Sequence, residues 1–507
     1  MNIDEIKLRP ELLHGPNPFI QEGASFVPFN DWPAKLRRYP LHGTDWRSIP
    51  AQFREPLLER SAMHFAPYGR ILEPAADLQK IFRAGLARRN PLARAEQIRT
   101  LKVATASDRK QLLQLSPVCG GAGGGIWSGM TATGRTELFK RVMEIIAPNQ
   151  VMTFGPSEAC GWDHLTHVSY LHVDFASNGS RGGFLKRVLL SIDKVTGSSL
   201  SDDFRRVTNI DVLLVEVCRQ LSNLRCVLIA IDEKQGSNFE DSPWKVEFLL
   251  FYLSLMNLGV NVLMLGNPLA FVHLRMFSQV MRRFSEAGQY EFFPAATADE
   301  VWWSRDFMPR MRKFNLVENW TVDTKWQQVF EFENTGGIQG LGSALHTEVQ
   351  LNALRRAGSN YEATVTEDDY RAAVSSARFS ERRRIALSVL GTGTADDQHY
   401  TDLPTVTAAP GTVSAHADGA ERKFEVLKDP TYVMVSSLLA KYMRDTTRHT
   451  NGLREKLKSL KGLDADDIRM LGVSSEHLAE MQKMVDKAEA TKAAAKAKTP
   501  SQAKVGK

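Results

Sequence analysis

Eight residues, Gly129-Met130-Thr131-Ala132-Thr133-Gly134-Arg135-Thr136, have the spacing of a loop that cradles phosphate. Such a loop works through successive backbone N–H groups and the positive N-terminal end of the helix that follows. Arg135 stands where lysine is usual and reaches toward the outer phosphates. The Thr136 hydroxyl falls at the Mg²⁺ position. A flexible glycine linker would read much the same, because the run before the loop (GGAGGGIW) is poor in Val and Ile. A second element narrows the choice. Cys226 to Ile231 is an apolar run that ends in Asp232 and Glu233. A buried strand of this kind brings its last carboxylates to the edge of the sheet where ligands bind. There Asp232 can hold Mg²⁺ through water, and Glu233 can polarise an attacking water. A third run, Val262 to Gly266, ends in Asn267, a side chain able to orient that water. Lastly, Arg282-Arg283 closes a helical stretch just before Tyr290–Phe293. An arginine there can reach a neighbouring subunit's nucleotide and stabilise transition-state charge. The plain alternative is a pair complementing the helix dipole.

These residues need elements to hold them. Between about residues 111 and 295, short apolar runs (Val168–Phe175, Cys226–Ile231, Val260–Leu265) alternate with helical stretches (Thr136–Ile146, Phe184–Val195, Ile210–Leu221, Lys245–Leu258). That alternation predicts βαβ units and a parallel sheet. The expected class is α/β: a P-loop ATPase core of the AAA+ type with a parallel sheet, a helical lid, and N- and C-terminal extensions. The boundaries fall at 1–110 (basic extension, for partner or DNA contacts), 111–295 (core), 296–390 (lid, broken at Gly336-Gly337) and 391–507 (linker and tail). The tail ends in a basic low-complexity run. Residues 1–65 read as turn-rich, and 72–116 as helical with a break at Asn90-Pro91.

Composition bounds the rest. The chain has 507 residues, 43% hydrophobic and 24% charged, which excludes wholesale disorder. Four cysteines do not make a disulfide scaffold and suit a reducing cytoplasm. No run reaches the length of a membrane span, and the start lacks the apolar core of a signal peptide. A cytoplasmic protein without membrane contact is expected. The net charge is +6, and residues 1–110 alone carry 18 Lys+Arg against 12 Asp+Glu. Nine basic residues crowd positions 80–110 (among them Arg83, Arg89 and Arg99), as a polyanion-binding patch or a solvated helix would. Cys160, His164 and His167, with His172 nearby, have spacing that could suit a metal. No second cysteine pair supports zinc.

Taken together, the chain resembles the TnsC family of AAA+ regulators from Tns-type transposons, and more distantly the TniB proteins. The matching positions are Asn17-Pro18-Phe19-Ile20, Tyr170 to Asp174 with Asn178-Gly179-Ser180, Ile231-Asp232-Glu233, Gly259-Val260 with Leu265 to Pro268, and Gln350 to Leu354. They span roughly residues 15–380. Arg135 and the glycine-rich run before the loop depart from the family pattern. The resemblance implies an ATP- and Mg²⁺-dependent switch that forms a homo-oligomeric ring or filament on duplex DNA, without sequence preference. It would link a TniQ/TnsD-like targeting protein to a transposase. It also implies that Arg181 and Lys186, after the Asn178-Gly179-Ser180 turn, meet DNA phosphates. A degenerate, non-hydrolysing DNA scaffold, or an AAA+ initiator or helicase loader, would share these features.

Overall fold

The computed structural model describes residues 15–113, 122–175, 180–234, 245–271 and 282–392. The tail expected over 391–507 lies outside them, apart from its first two residues.

Five strands make one parallel sheet. They are β1 (Gly124–Gly129), β4 (Tyr170–Asp174), β5 (Leu228–Lys234), β6 (Asn261–Gly266) and β7 (Gln289–Phe292), in the order β4-β5-β6-β1-β7. β6 is inserted between β1, which leads into the phosphate loop, and β5, which ends in the two acids. That is the additional-strand arrangement, so the expected α/β class holds. Two more strands, β2 (Val151–Phe154) and β3 (Leu165–Val168), pair antiparallel beside it. The expected run Val168–Phe175 coincides with β4 and touches only the last residue of β3, Val168.

Both faces of the sheet are covered, which explains why its strands are continuous apolar runs. Alternate residues point to opposite layers. Ile229, Ile231, Val262 and Met264 pack with α4 (Arg181–Thr196), α5 (Ile210–Asn223) and α6 (Lys245–Asn257). Leu228, Ala230, Leu263 and Leu265 pack with α1 (Leu72–Arg88), α3 (Arg135–Ile146) and the N-terminal segment. β1 is glycine-rich because its neighbours crowd it. A Cβ on Gly124 would stand 2.5 Å from the Val262 carbonyl oxygen, and one on Gly125 would stand 2.9 Å from the Ala287 Cβ. The run that reads as a poor strand is therefore an interior strand, paired with β6 on one side and β7 on the other.

The N-terminal segment is built into this layer. Asn17 caps the short helix Pro18–Gly23 by accepting from the Phe19 N–H at 3.1 Å, and its Nδ2 donates to the Leu86 carbonyl at 2.9 Å. Phe19 lies flat on His167, ring centres 4.2 Å apart. The Gln79 carboxamide ties Val27 on both sides, at 2.7 and 2.9 Å.

The basic stretch 80–110 is only partly a surface patch. Arg83, Arg89 and Arg99 are buried and present no charge to a polyanion, while Lys80, Arg94, Lys102 and Lys110 are exposed. α2 (Arg94–Thr105) carries Glu96, whose carboxylate takes Arg89 at 3.2 Å and Arg99 at 2.6 and 2.7 Å, with Arg225 at 3.9 Å. The same guanidiniums donate to the carbonyls of Cys226, Ser222 and Leu258, just before β5 and β6. Buried charges persist only when paired and hydrogen-bonded. Here they pin α1 and α2 to the N-terminal edge of the sheet.

The lid follows the sheet. Its helices are α7 (Thr324–Thr335), α8 (Gln339–Ala357), α9 (Glu367–Ser375) and α10 (Ser380–Leu390). Gly336 and Gly337 both have positive φ, at the expected break between α7 and α8. They suit it because φ in this range strains any side-chain-bearing residue.

Candidate functional site

The loop after β1 is shaped by close approaches. A Cβ on Gly129 would lie 2.8 Å from the Phe292 carbonyl oxygen and 2.9 Å from Thr133 Oγ1. Thr133 is buried, and its hydroxyl donates to the Met130 carbonyl at 2.7 Å, closing the loop on itself. Ala132 has φ 62 and Gly134 φ 81. A left-handed alanine costs about 1–2 kcal/mol, and such strain persists where the surroundings hold it. Gly134 is also the N-cap of α3 and offers no side chain to it. The first N–H groups of α3 have no intrahelical partner. They open beside the loop, an arrangement that favours an anion.

Across the sheet edge stands Asp232, buried near the end of β5. The Thr136 hydroxyl donates to its Oδ2 at 2.7 Å, and His172 Nε2 on β4 lies 3.1 Å from the same oxygen. A hydroxyl and a carboxylate beside a phosphate loop are hard oxygen donors. They suit Mg²⁺, which takes one or two carboxylates and leaves other positions to phosphate and water. Thr136 and Asp232 would hold it, and it would neutralise charge on the outer phosphates. Glu233 follows on β5, but its side chain lies outside the described residues.

Arg135 occupies the gap between loop and sheet. Its Nη1 donates to the carbonyl of Gly266, the last residue of β6. Burial lowers its pKa from 12.5 to about 10, with the Asp232 charge opposing. Asn267 comes next along the chain, half-buried at this same edge, and its carbonyl accepts from the Ala270 N–H at 2.9 Å. The structure thus brings together Gly129, Thr131 to Thr136, Asp232 and Asn267.

It does not bring Arg282 and Arg283 to this loop. They precede β7, at the opposite, N-terminal edge of the parallel sheet. Arg282 is exposed, and Arg283 Nη1 donates to Asn257 Oδ1 at 2.7 Å. Burial first, then the neighbouring Arg282 charge, lowers the Arg283 pKa. Arg181 opens α4 and lines a cavity with Arg109, Phe184, Asp211 and Phe251. Lys186 Nζ donates to the Arg205 carbonyl at 2.7 Å.

Sequence reasoning missed several features. The lid touches the loop: the Gly340 N–H donates to the Ala132 carbonyl at 2.9 Å, and Met130 packs against Ile338, Leu341, Ala386 and Val389. A Cβ on Gly340 would meet the Ala132 carbonyl oxygen at 2.8 Å, so the glycine is what permits this approach. Gln339 is buried beside it and donates to the Tyr68 hydroxyl at 3.0 Å. In the sequence, His172 stands out only as a possible zinc neighbour. Among the described residues no three of His, Cys, Asp and Glu gather into a metal site. His167 is instead a buried ring, its pKa lowered to about 3 chiefly by burial. Among the described residues no helix is long and apolar enough to cross a membrane.

No protein-family model matches this sequence, and no curated protein matches it. Solved structures similar in fold include the Aeropyrum pernix ORC1 protein in complex with DNA, at 15% identity and TM-score 0.35, covering 78% of this chain and 87% of that one. Cdc6p from Pyrobaculum aerophilum is similar at 12% identity and TM-score 0.35, covering 72% and 88%. The Aeropyrum pernix ORC2 protein in its ADP form is similar at 15% identity and TM-score 0.33, covering 78% and 94%. Similarity at this level establishes no kinship. The fold rests on the strand order and the loop geometry.

Proposed function

We propose that the chain is an ATP-binding switch that oligomerises on duplex DNA and couples a targeting protein to a transposase, as in the TnsC family. The observation that carries the nucleotide part is the Thr136–Asp232 bond at 2.7 Å, beside a loop that contains a left-handed alanine. Backbone N–H groups from Thr131 to Thr136 would cradle the phosphates. Thr136 and Asp232 would hold Mg²⁺. Glu233 would polarise the attacking water, and Asn267 would orient it. Arg282 and Arg283, far from their own loop, suit a role in a neighbour's site, which would make assembly depend on nucleotide. Arg181 and Lys186 are the proposed phosphate contacts on DNA, and such contacts carry no sequence preference.

A second reading is favoured by one observation. Arg135 is bonded to the Gly266 carbonyl and not aimed up into the loop. If it stays there with nucleotide present, the protein is a DNA scaffold that binds ATP without turning it over. An initiator or helicase-loader role is separated from both by its partners.

The test is electron microscopy of the full-length protein with duplex DNA, with and without a nonhydrolysable ATP analogue, at low salt. Rings or filaments that need both DNA and analogue, and dissolve steeply with salt as counterion release requires, support the proposal. A protein that stays monomeric in every condition refutes it.

A further inference from the structure

The residue that the nucleotide reading leaves without a role is His172. We propose that it is a positioning residue for Asp232: its imidazole donates from Nε2 to Oδ2 and fixes the carboxylate that the divalent cation meets. This inference rests on the nucleotide reading above.

The strand register sets up the contact. β4 and β5 run parallel, with His172 opposite Ala230 and Asp174 opposite Asp232. His172 therefore starts two residues below Asp232 on the neighbouring strand, and its ring reaches up toward the carboxylate. The Phe139 ring of α3 lies beside it, centres 5.4 Å apart and tilted 42°. That contact restricts the imidazole from the side of α3. The Asp232 side chain is only 8% exposed, against 26% for His172, so the bond lies at the inner end of the ring. Asp232 Oδ2 is consequently held from two directions, by Thr136 at 2.7 Å and by His172 at 3.1 Å.

The two donors differ in what a cation does to them. A cation that takes the Thr136 oxygen and approaches Asp232 changes the first contact. The bond from His172 comes from the neighbouring strand and can persist, orienting the carboxylate while the cation is bound. Hydrogen-bonding partners that orient the groups holding a metal are worth about 10- to 100-fold in its affinity. The backbone N–H groups that cradle phosphate are untouched by His172. Its loss should therefore weaken the cation and not the nucleotide itself.

The experiment is an equilibrium titration of a fluorescent ATP analogue into the full-length protein, over a range of MgCl₂ and separately in excess EDTA. Wild type, His172→Ala and His172→Gln are compared, with thermal melting to confirm the fold. The Gln carboxamide Nε2 can stand near the imidazole Nε2 and donate the same bond. His172→Ala is expected to raise half-saturating Mg²⁺ by about 10- to 100-fold, with affinity in EDTA unchanged. His172→Gln is expected to restore most of the Mg²⁺ response. The proposal is overturned if His172→Ala needs no more Mg²⁺ than wild type. It is equally overturned if affinity falls as much in EDTA as in Mg²⁺, or if a folded His172→Gln protein behaves like His172→Ala. No binding of the analogue by wild type in either condition overturns the nucleotide reading, and this proposal with it.

Discussion

Replacing Arg135 with alanine should leave the empty protein about as stable as before and damage only its response to ATP. The guanidinium is partly buried, and that burial lowers its pKa to about 10. Arginine keeps its proton at any working pH, so the lowering is a direct cost to the folded state. At about 1.4 kcal/mol for each tenfold, it comes to about 3 kcal/mol. Against this stands the charge-assisted bond to the Gly266 carbonyl, worth about 1.5–3 kcal/mol. The two nearly cancel, and Arg135→Ala should shift stability by less than about 1.5 kcal/mol. A phosphate beside the guanidinium changes the balance, because the partly buried cation then gains an anion. Arg135→Ala should therefore weaken ATP binding by about tenfold or more, which is about 1.4 kcal/mol. Arg135→Lys replaces a planar fork with a compact point charge, and should bind ATP and release phosphate faster than wild type. Urea unfolding, titration with a fluorescent ATP analogue and a phosphate-release assay check the three parts. If Arg135→Ala binds ATP as well as wild type, the reasoning fails and Arg135 stays on Gly266 in the complex.

Glu96→Gln should destabilise the fold by about 3–5 kcal/mol, since it strips the shared partner from the buried Arg89 and Arg99; urea unfolding measures it, and a loss under about 1 kcal/mol contradicts the account. His167 and His346 are held neutral, both with pKa lowered to about 3 chiefly by burial. Only the unfolded chain takes up their protons near pH 6.5, so their stability contribution is full above that pH and is lost as pH falls toward 3. At pH 4.5 each costs about 2–3 kcal/mol, and His167→Phe, which keeps the stack on Phe19, should flatten the acid limb of stability against pH. Glu233→Gln should bind ATP normally and trap the assembled state, whereas Asp232→Asn should weaken Mg²⁺–ATP binding; equal effects on nucleotide affinity would contradict the division of roles.

The sequence carried most of the sheet and the phosphate loop, because those signals are local. β6 and β7 and the helices Arg135–Ile146, Arg181–Thr196 and Ile210–Asn223 follow from alternating apolar runs and helical stretches, and β5 and β6 read as buried because both of their faces are. β1 escaped, since its glycines answer to backbone and side chains distant in sequence: Val262, Ala287 and Phe292. The arginines of 80–110 read as surface charge because nothing in their spacing shows that Glu96 and three carbonyls are their partners. Asn17-Pro18-Phe19-Ile20 was recognised as a motif, but its work as a cap and core anchor appears only when Leu86 and His167 are beside it. The lid's hold on Ala132 had one legible trace. Gly340 is a glycine inside a helix, where alanine would be about 1 kcal/mol better, and that choice makes sense only if something passes close.

The central claim is that Thr136 and Asp232 form the cation side of a nucleotide site. Calorimetric titration of ATP into full-length wild type and Thr136→Ala, each with MgCl₂ and with EDTA, tests it most directly. Wild type should bind ATP, and more tightly with Mg²⁺. Thr136→Ala should retain the EDTA affinity and lose the Mg²⁺ enhancement. Wild-type protein that binds no ATP, or a Thr136→Ala variant with the full Mg²⁺ enhancement, would contradict it.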